Sequence, residues 1–231
     1  MSKGIRNSHV QLKHARRFKP SSQKWLQRQL DDVFVKKAKV DGYRSRAAYK
    51  LLEIQEKYKL FSSRSVVVDL GAAPGGWTQV LVSLVNPKKG SIVALDILPM
   101  DGFPGVTVLE GDFTTDETLG NLENVLAAQN LLHKGIDVVL SDMATPTMGH
   151  RQTDHMRIMG LAELALDFAL KILRPGGHFA AKFFMGAGDG DFIALLKSHF
   201  RHVSCMKPQA SRKESSELYV IARDRKEHVE R

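Results

Sequence analysis

From about residue 60 onward the chain alternates between two hydrophobic periods. Short apolar runs rich in β-branched residues stand at Ser65-Val-Val-Val-Asp69, Ser91-Ile-Val-Ala-Leu-Asp96, Gly105-Val-Thr-Val-Leu-Glu110 and Ile136-Asp-Val-Val-Leu-Ser141. Such runs predict buried strands. Three more are expected at His178–Lys182, His202–Met206 and Glu217–Ala222. Between the strands, apolar residues recur every three or four positions. This predicts helices over Trp77–Val85, Thr118–Leu132, Met156–Leu173 and Phe192–Phe200. Asn86-Pro87 and Arg174-Pro-Gly-Gly177 supply stop signals, and Asp154 suits the N-terminal end of the long third helix. Strands alternating with helices predict an α/β fold of three layers around a mainly parallel, seven-stranded sheet. Ahead of it, Trp25, Leu26, Leu30, Val33 and Phe34 recur at helical spacing between Ser22 and Val40, with Ser22 as candidate cap. Ala47, Ala48, Leu51, Leu52 and Ile54 mark a second helix that carries Lys50. The organisation expected is an arm over 1–21 and one domain over 22–231, whose first part, about 22–60, is a helical extension.

Composition agrees with one domain plus an extension. The chain has 231 residues, 43% of them hydrophobic, enough for a sizeable core. A single cysteine excludes an intramolecular disulfide framework, and Cys205, within a strand, is expected in the core. No apolar run approaches the roughly 18 residues that span a membrane, so a soluble protein is expected. Charge changes the picture more. The net charge of +9 is confined to the first fifty residues, which hold 14 basic and 3 acidic side chains; the remainder has 20 and 22. A basic segment on a near-neutral body points to a polyanion, or to a solvated tail; charge alone does not choose. Transit peptides share this composition. Val10, Leu12, Ala15 and Phe18 give only a thin apolar stripe, so a flexible basic arm is the preferred reading.

In open α/β sheets, ligands bind beyond the carboxyl ends of the strands. Asp69, Asp96, Asp112, Asp142 and Lys182 all fall at or just after predicted strand ends. The first strand runs into Gly71-Ala-Ala-Pro-Gly-Gly76, a loop whose glycines permit a tight turn and close backbone approach to a ligand. A dinucleotide loop would read G-x-G-x-x-G. Here the spacing is G-x-x-x-G-G, and Pro74 removes one N–H donor. That favours a nucleoside without phosphates, such as S-adenosylmethionine. Asp96 is placed to accept from ribose hydroxyls, and Asp112 from an exocyclic adenine amine. Lys182 ends an apolar strand and would be costly there without a role. His150 and His155 lie close in sequence, but no metal is expected.

These segments, taken together, carry a resemblance. Ser45-Arg-Ala-Ala-Tyr-Lys50, Val68-Asp-Leu-Gly-Ala-Ala-Pro-Gly-Gly-Trp77, Leu98-Pro-Met-Asp101, Glu110-Gly-Asp-Phe113, Ser141-Asp-Met-Ala144 and Ser211-Arg-Lys-Glu-Ser-Ser-Glu-Leu-Tyr219 resemble the FtsJ-type RNA ribose 2′-O-methyltransferases over about residues 22–223. Within that family the likeness is to the bacterial enzymes that modify a uridine of large-subunit (23S) rRNA, and to their mitochondrial relatives. The resemblance implies a Rossmann-like methyltransferase fold and S-adenosylmethionine as methyl donor. It implies a catalytic tetrad of Lys50, Asp142, Lys182 and Glu217, and donor contacts from Gly75, Trp77, Asp96, Asp112 and Asp142. One departure stands out: after Ser-Asp-Met-Ala the family usually continues Pro-Asn, and here Thr145-Pro146-Thr147 follows.

A sulfonium methyl is already activated, so the task is to hold a hydroxyl in line with it. Lys182 is the candidate base or hydroxyl-orienting group, with Lys50, Asp142 and Glu217 in support. RNA would be held by the arm, the Trp25 helix, Arg212 and Lys213. tRNA or capped mRNA is the alternative substrate within this class. A nicotinamide-dependent oxidoreductase predicts the G-x-G-x-x-G loop that is absent, and a non-catalytic RNA-binding protein predicts a broken tetrad. A monomer in the bacterial cytoplasm is expected ahead of the mitochondrial matrix, with no membrane partner.

Overall fold

A computed structural model describes residues 32–86, 90–146, 148–186, 189–212 and 215–227. The arm over 1–21, Trp25, Leu26, Leu30, Thr147 and Lys213 lie outside the described residues. Two helices come first, α1 (Val33–Asp41) and α2 (Ala47–Tyr58). There follow β1 (Val66–Leu70), α3 (Gly76–Leu84), β2 (Ser91–Asp96), β3 (Val106–Glu110), α4 (Asp116–Ala128), the short α5 (Leu131–Lys134) and β4 (Ile136–Ser141). The chain continues through α6 (Arg151–Ile172), β5 (Leu173–Phe184), α7 (Asp189–His199), β6 (Phe200–Met206) and β7 (Glu217–Arg225).

The seven strands form one sheet in the order β3-β2-β1-β4-β5-β7-β6. All neighbouring pairs are parallel except those of β7, which runs antiparallel to both β5 and β6. The fold is the Rossmann-like arrangement expected from the sequence. Its strand order reverses at β1, flanked by β2 and β4, which opens a crevice at the carboxyl ends of those strands.

Side-chain alternation distributes the strands between two cores. Val67, Val138, Leu140, Ala180, Tyr219 and Ile221 pack with Leu51 and Ile54 of α2 and with Trp77, Val80 and Leu81 of α3. Val68, Val139, Phe179, Ala181, Val220 and Ala222 face the other way, against α4, α6 and α7. Every residue of β1 is buried, as its unbroken apolar run predicts.

Several boundaries differ from expectation. A continuous helix over 22–40 is excluded, because Asp32 is extended and caps α1 through its carboxylate, which accepts from Phe34 N and Val35 N. The helix expected over 118–132 breaks where Asn130 adopts the left-handed conformation (φ 57°), so that Leu131 turns into the core. α6 begins at Arg151, five residues early, because Asp154 accepts from Met148 N (2.8 Å) and Gly149 N (3.2 Å) and folds the preceding loop onto the first turn. The Arg174-Pro-Gly-Gly177 stop ends α6 but lies inside β5, where the pairing with β4 shifts register between Ile136 and Val138. Cys205 is exposed rather than in the core, since β6 is an edge strand.

Phe179 is fully buried in β5, 6.5 Å from the stacked ring of Phe200. Phe179→Ala is expected to cost about 3–5 kcal/mol in urea unfolding; a loss below about 1 kcal/mol would contradict this account of the core.

Candidate active site

The glycine loop is shaped by close approach. Gly71 (φ 75°) lies so near the chain past β4 that a Cβ there would stand 2.6 Å from Met143 N. At Gly75 (φ 107°), the N-cap of α3, a Cβ would meet the Phe103 ring at 2.8 Å. Both positions therefore require glycine. Gly71 N and Ala72 N donate to Leu95 O, and Asp142 N donates to Leu70 O at 3.0 Å. The loops after β1, β2 and β4 are thus joined through backbone bonds.

A cleft of about 480 Å³ opens there, lined by Gly71, Asp96, Ile97, Asp112, Met143 and, from α6, Arg157 and Leu161 among others. That size suits a small ligand. Asp96 accepts from Ala73 N (2.9 Å) and Leu98 N (2.8 Å), so the acid that ends β2 also braces the glycine loop. Asp112 forms a turn with Thr114, accepting from its N–H and its hydroxyl. Those bonds, the backbone one first, lower its pKa. Gly75, Trp77 and Asp142 do not line this cleft. Trp77 is buried between α2 and α3, its Nε1 donating to Ala47 O at 2.9 Å. Its indole is thus engaged in packing.

Asp69 lies within β1 and is fully buried. Its Oδ2 accepts from the Thr78 hydroxyl at 2.8 Å, whereas Oδ1 has no hydrogen-bond partner. Burial, with smaller contributions from the negative charges of Asp142 and Asp96, raises its pKa to about 7 despite the opposing bond from Thr78. A backbone cradle, a mostly apolar wall and two acids at the rim fit a nucleoside.

The tetrad residues come together beside the cleft. Asp142 follows the last residue of β4, and Lys182 stands one position past Ala181, the partner of Ser141. Lys182 Nζ donates to Asp142 Oδ1 at 2.9 Å and to Asp142 O at 2.5 Å. Lys182 also pairs across β5 and β7 with Tyr219. The Tyr219 hydroxyl donates to Asp142 Oδ1 at 2.6 Å and accepts from Lys50 Nζ at 3.1 Å. Lys50, brought in by α2, pairs with Glu217 at 2.7 Å, and the Ser211 hydroxyl donates to the same Glu217 oxygen at 2.8 Å. Both lysines are buried, with 8% and 7% of their surface exposed. Burial would raise the pKa of Asp142, but the charges of Lys182 and Lys50 and the bonds from Tyr219 and Lys182 outweigh it and hold the carboxyl below its usual range. Tyr219 goes the other way: burial first, then Asp142 and Glu217, push its hydroxyl well above 10.

Arg212, expected to hold RNA, pairs with Asp32 at 3.6 Å. His155 packs against Gly186, and His150 Nδ1 lies 3.4 Å from the Thr153 hydroxyl. Two site residues carry no role in the motif reading. Tyr219 was visible as a polar-tipped aromatic in an otherwise apolar strand, two positions after Glu217 and so on the same face. Arg44 was visible only as a basic residue ahead of α2. Its guanidinium donates to Asp101 O (2.7 Å) and Pro74 O (3.4 Å) and lies 3.9 Å from the Phe103 ring centre, tying the glycine loop to the segment after β2.

The sequence pattern of a family described as FtsJ-like methyltransferase matches residues 43–225, which include all four tetrad positions and both acids of the cleft rim. This chain belongs to that family. Among relatives of the FtsJ-like methyltransferase, Ribosomal RNA large subunit methyltransferase E of Acidiphilium cryptum (strain JF-5) is 52% identical, covering 94% of this chain and 92% of its own length. The protein of the same name from Brucella canis is 48% identical over 96% of this chain and 91% of its own. A crystal structure described as a ribosomal RNA methyltransferase from Plasmodium falciparum superposes with a TM-score of 0.68, at 30% identity, over 79% of this chain and 98% of that one. The oxidoreductase reading is set aside, since the chain is a methyltransferase by family.

Tyr219→Phe should leave Lys50 and Asp142 each short of a buried partner. A loss of about 1–3 kcal/mol in denaturant unfolding is expected; a change within about 0.5 kcal/mol would show that the hydroxyl holds nothing. Asp69 gives a pH test. Its folded pKa of about 7 lies above the ordinary aspartate value of 3.8, so the folded state retains a proton that the unfolded state has lost. Stability contributed by that proton is lost as pH rises toward about 7. Thermal melts should therefore show wild type losing more stability than Asp69→Asn between pH 5 and pH 8. Parallel losses would contradict an ionising Asp69.

Proposed function

We propose that the protein transfers a methyl group from S-adenosylmethionine to a ribose 2′-hydroxyl of RNA, most specifically a uridine of large-subunit rRNA. The observation that carries this reading is the unbroken chain of contacts from Glu217 through Lys50, Tyr219 and Asp142 to Lys182, beside a nucleoside-sized cleft. The name shared by relatives at about half identity supports the substrate. An intact tetrad argues against a non-catalytic RNA-binding role.

The donor, when bound, supplies a methyl group on a sulfonium, an electrophile that needs no further activation. Asp96 and Asp112 hold its ribose and adenine, and the glycine loop admits its amino-acid end close to the backbone. Lys182 orients the ribose hydroxyl by hydrogen bonding. As the oxygen lone pair forms the new bond to carbon, the carbon–sulfur pair returns to sulfur and leaves an uncharged thioether, and the hydroxyl proton passes to Lys182, a step that requires its free amine. Asp142 fixes the Lys182 amine through two contacts, and Lys50 with Tyr219 balances the Asp142 charge. In-line positioning and proton acceptance, more than bond polarisation, are what this constellation can provide.

RNA arrives through charge. The excess of positive residues lies in the first fifty positions, the stretch that also carries Lys50. Within it, Lys37 and Lys39 on α1 and Arg44, ahead of α2, are exposed. Phosphate contacts from this segment give affinity, and recognition of the 2′-hydroxyl selects RNA over DNA. The domain organisation that fits is a basic arm over 1–21 on one methyltransferase domain, acting as a monomer in the bacterial cytoplasm. Among the described residues no helix is long and apolar enough to cross a membrane.

Lys182→Ala should keep S-adenosylmethionine binding by calorimetry and lose methyl transfer by about 10²-fold or more; retention of full activity would remove Lys182 from the chemistry. Mapping of 2′-O-methyl groups after incubation with rRNA, ribosomal subunits, tRNA and capped RNA should show modification of large-subunit rRNA. Modification of tRNA or the cap instead would redirect the substrate. Deletion of residues 1–20 should weaken RNA binding and flatten its salt dependence while donor affinity stays unchanged. Unchanged RNA affinity would reduce the arm to a solubility tail.

A further inference from the structure

Lys182 is followed by two phenylalanines in quite different settings. Phe183 faces the core beneath α4, α6 and α7, is 1% exposed and packs on Phe192 with ring centres 6.3 Å apart. Phe184, the last residue of β5, faces the other way. It is half-buried, and among the described residues it joins none of the hydrophobic cores. Alternation along β5 puts it on the face of Lys182. The antiparallel register sets it directly opposite Glu217, as it sets Lys182 opposite Tyr219. Lys50 reaches this same face from α2. Phe184 therefore stands beside the tetrad, about 7 Å along the strand from Lys182. Past it the chain opens to solvent, with Met185 63% exposed. The donor does not cover this ring, because Phe184 is not among the residues that line the cleft. The Glu217 charge next to it is already matched by Lys50 at 2.7 Å, so the spot presents an apolar face and not a phosphate site. Lys182 must receive a ribose, and every ribose of RNA carries a base one sugar ring away. Single-stranded RNA is commonly held by stacking its splayed bases on aromatic side chains.

We propose that Phe184 is the stacking platform for a base of the substrate RNA within one nucleotide of the target ribose. This rests on the reading of Lys182 as the group that receives the ribose hydroxyl. The stack fixes the plane of the base while Lys182 holds the hydroxyl. The nucleotide is then held at two points, and its 2′-oxygen stays in line with the methyl group. Every base has a face that can stack, so Phe184 positions the strand without reading its sequence. The base it takes must have left its neighbours, which restricts the substrate to a loop or another locally opened strand.

The test is methyl transfer by the whole protein to large ribosomal subunits that lack the modification, with Phe184→Leu and Phe184→Tyr. Leucine keeps the apolar bulk and loses the ring face, whereas tyrosine keeps both. Transfer efficiency (kcat/KM) should fall roughly 5- to 150-fold in Phe184→Leu, the worth of one base–aromatic stack. Phe184→Tyr should recover most of that loss. S-adenosylmethionine affinity by calorimetry should not change in either variant. The salt dependence of RNA binding should not change either, since no phosphate contact is lost. Wild-type efficiency in Phe184→Leu, or Phe184→Tyr as slow as Phe184→Leu, would overturn the inference alone. Ultraviolet crosslinking of the unaltered protein to the same subunits decides the matter if the variants fail to fold. It should place a base adduct on the peptide that carries Phe184, and adducts formed only on other peptides would overturn the inference. Failure of wild type to methylate large-subunit rRNA, tRNA or capped RNA would instead overturn the functional reading and take the inference with it.

Discussion

Two lysines buried at one end of a sheet must find compensating charge, and the structure around them is arranged to supply it. Lys50 and Lys182 come from elements far apart in sequence, yet each meets a carboxylate and both reach Asp142 by contact or through Tyr219. Removing one member of such a group leaves another buried charge unpaired, which is far costlier than the loss of a surface ion pair. That constraint explains why α2 docks where it does. Its Lys50 closes the circuit on Glu217, while Glu53 accepts from Gln209 N and Ala210 N and holds the loop that leads into β7. Arg46 reaches from the same helix to Asp32 and to Ala210 O. The N-terminal extension is thus fastened to the β6–β7 loop by polar contacts on either side of Lys50.

On the other side of Asp142 the electrostatics are reversed. Asp69, Asp96 and Asp142 stand at or near the ends of three adjacent strands, and only Asp142 is neutralised by lysines. Asp96 is held instead by two backbone amides and Asp69 by the Thr78 hydroxyl.

Much of this was legible in the sequence, for physical reasons. Unbroken β-branched runs identified β1, β2 and β4, because a strand buried on both faces has no polar positions to alternate with. Strand-end acids identified the functional edge, because α/β topology places ligands there. What the sequence did not reveal was geometry set by single residues. Asn130 broke a helix by adopting a conformation that only a few residue types tolerate, and Asp154 started another early by capturing two loop amides. Cys205 was misplaced because nothing local distinguishes an edge strand from a central one. Tyr219 could be aligned with Lys182 only once the antiparallel register of β5 and β7 was known. Trp77 lies in the expected segment, but its indole is spent on packing α2 against α3.

The central claim is that these charges work as one unit joined by the Tyr219 hydroxyl. A double-mutant cycle on single-turnover methyl transfer tests it most directly, with Lys50→Met, Tyr219→Phe and the pair combined. If the unit is real, the losses are strongly non-additive, and the double variant is about as slow as Lys50→Met alone. Losses that multiply independently would contradict it.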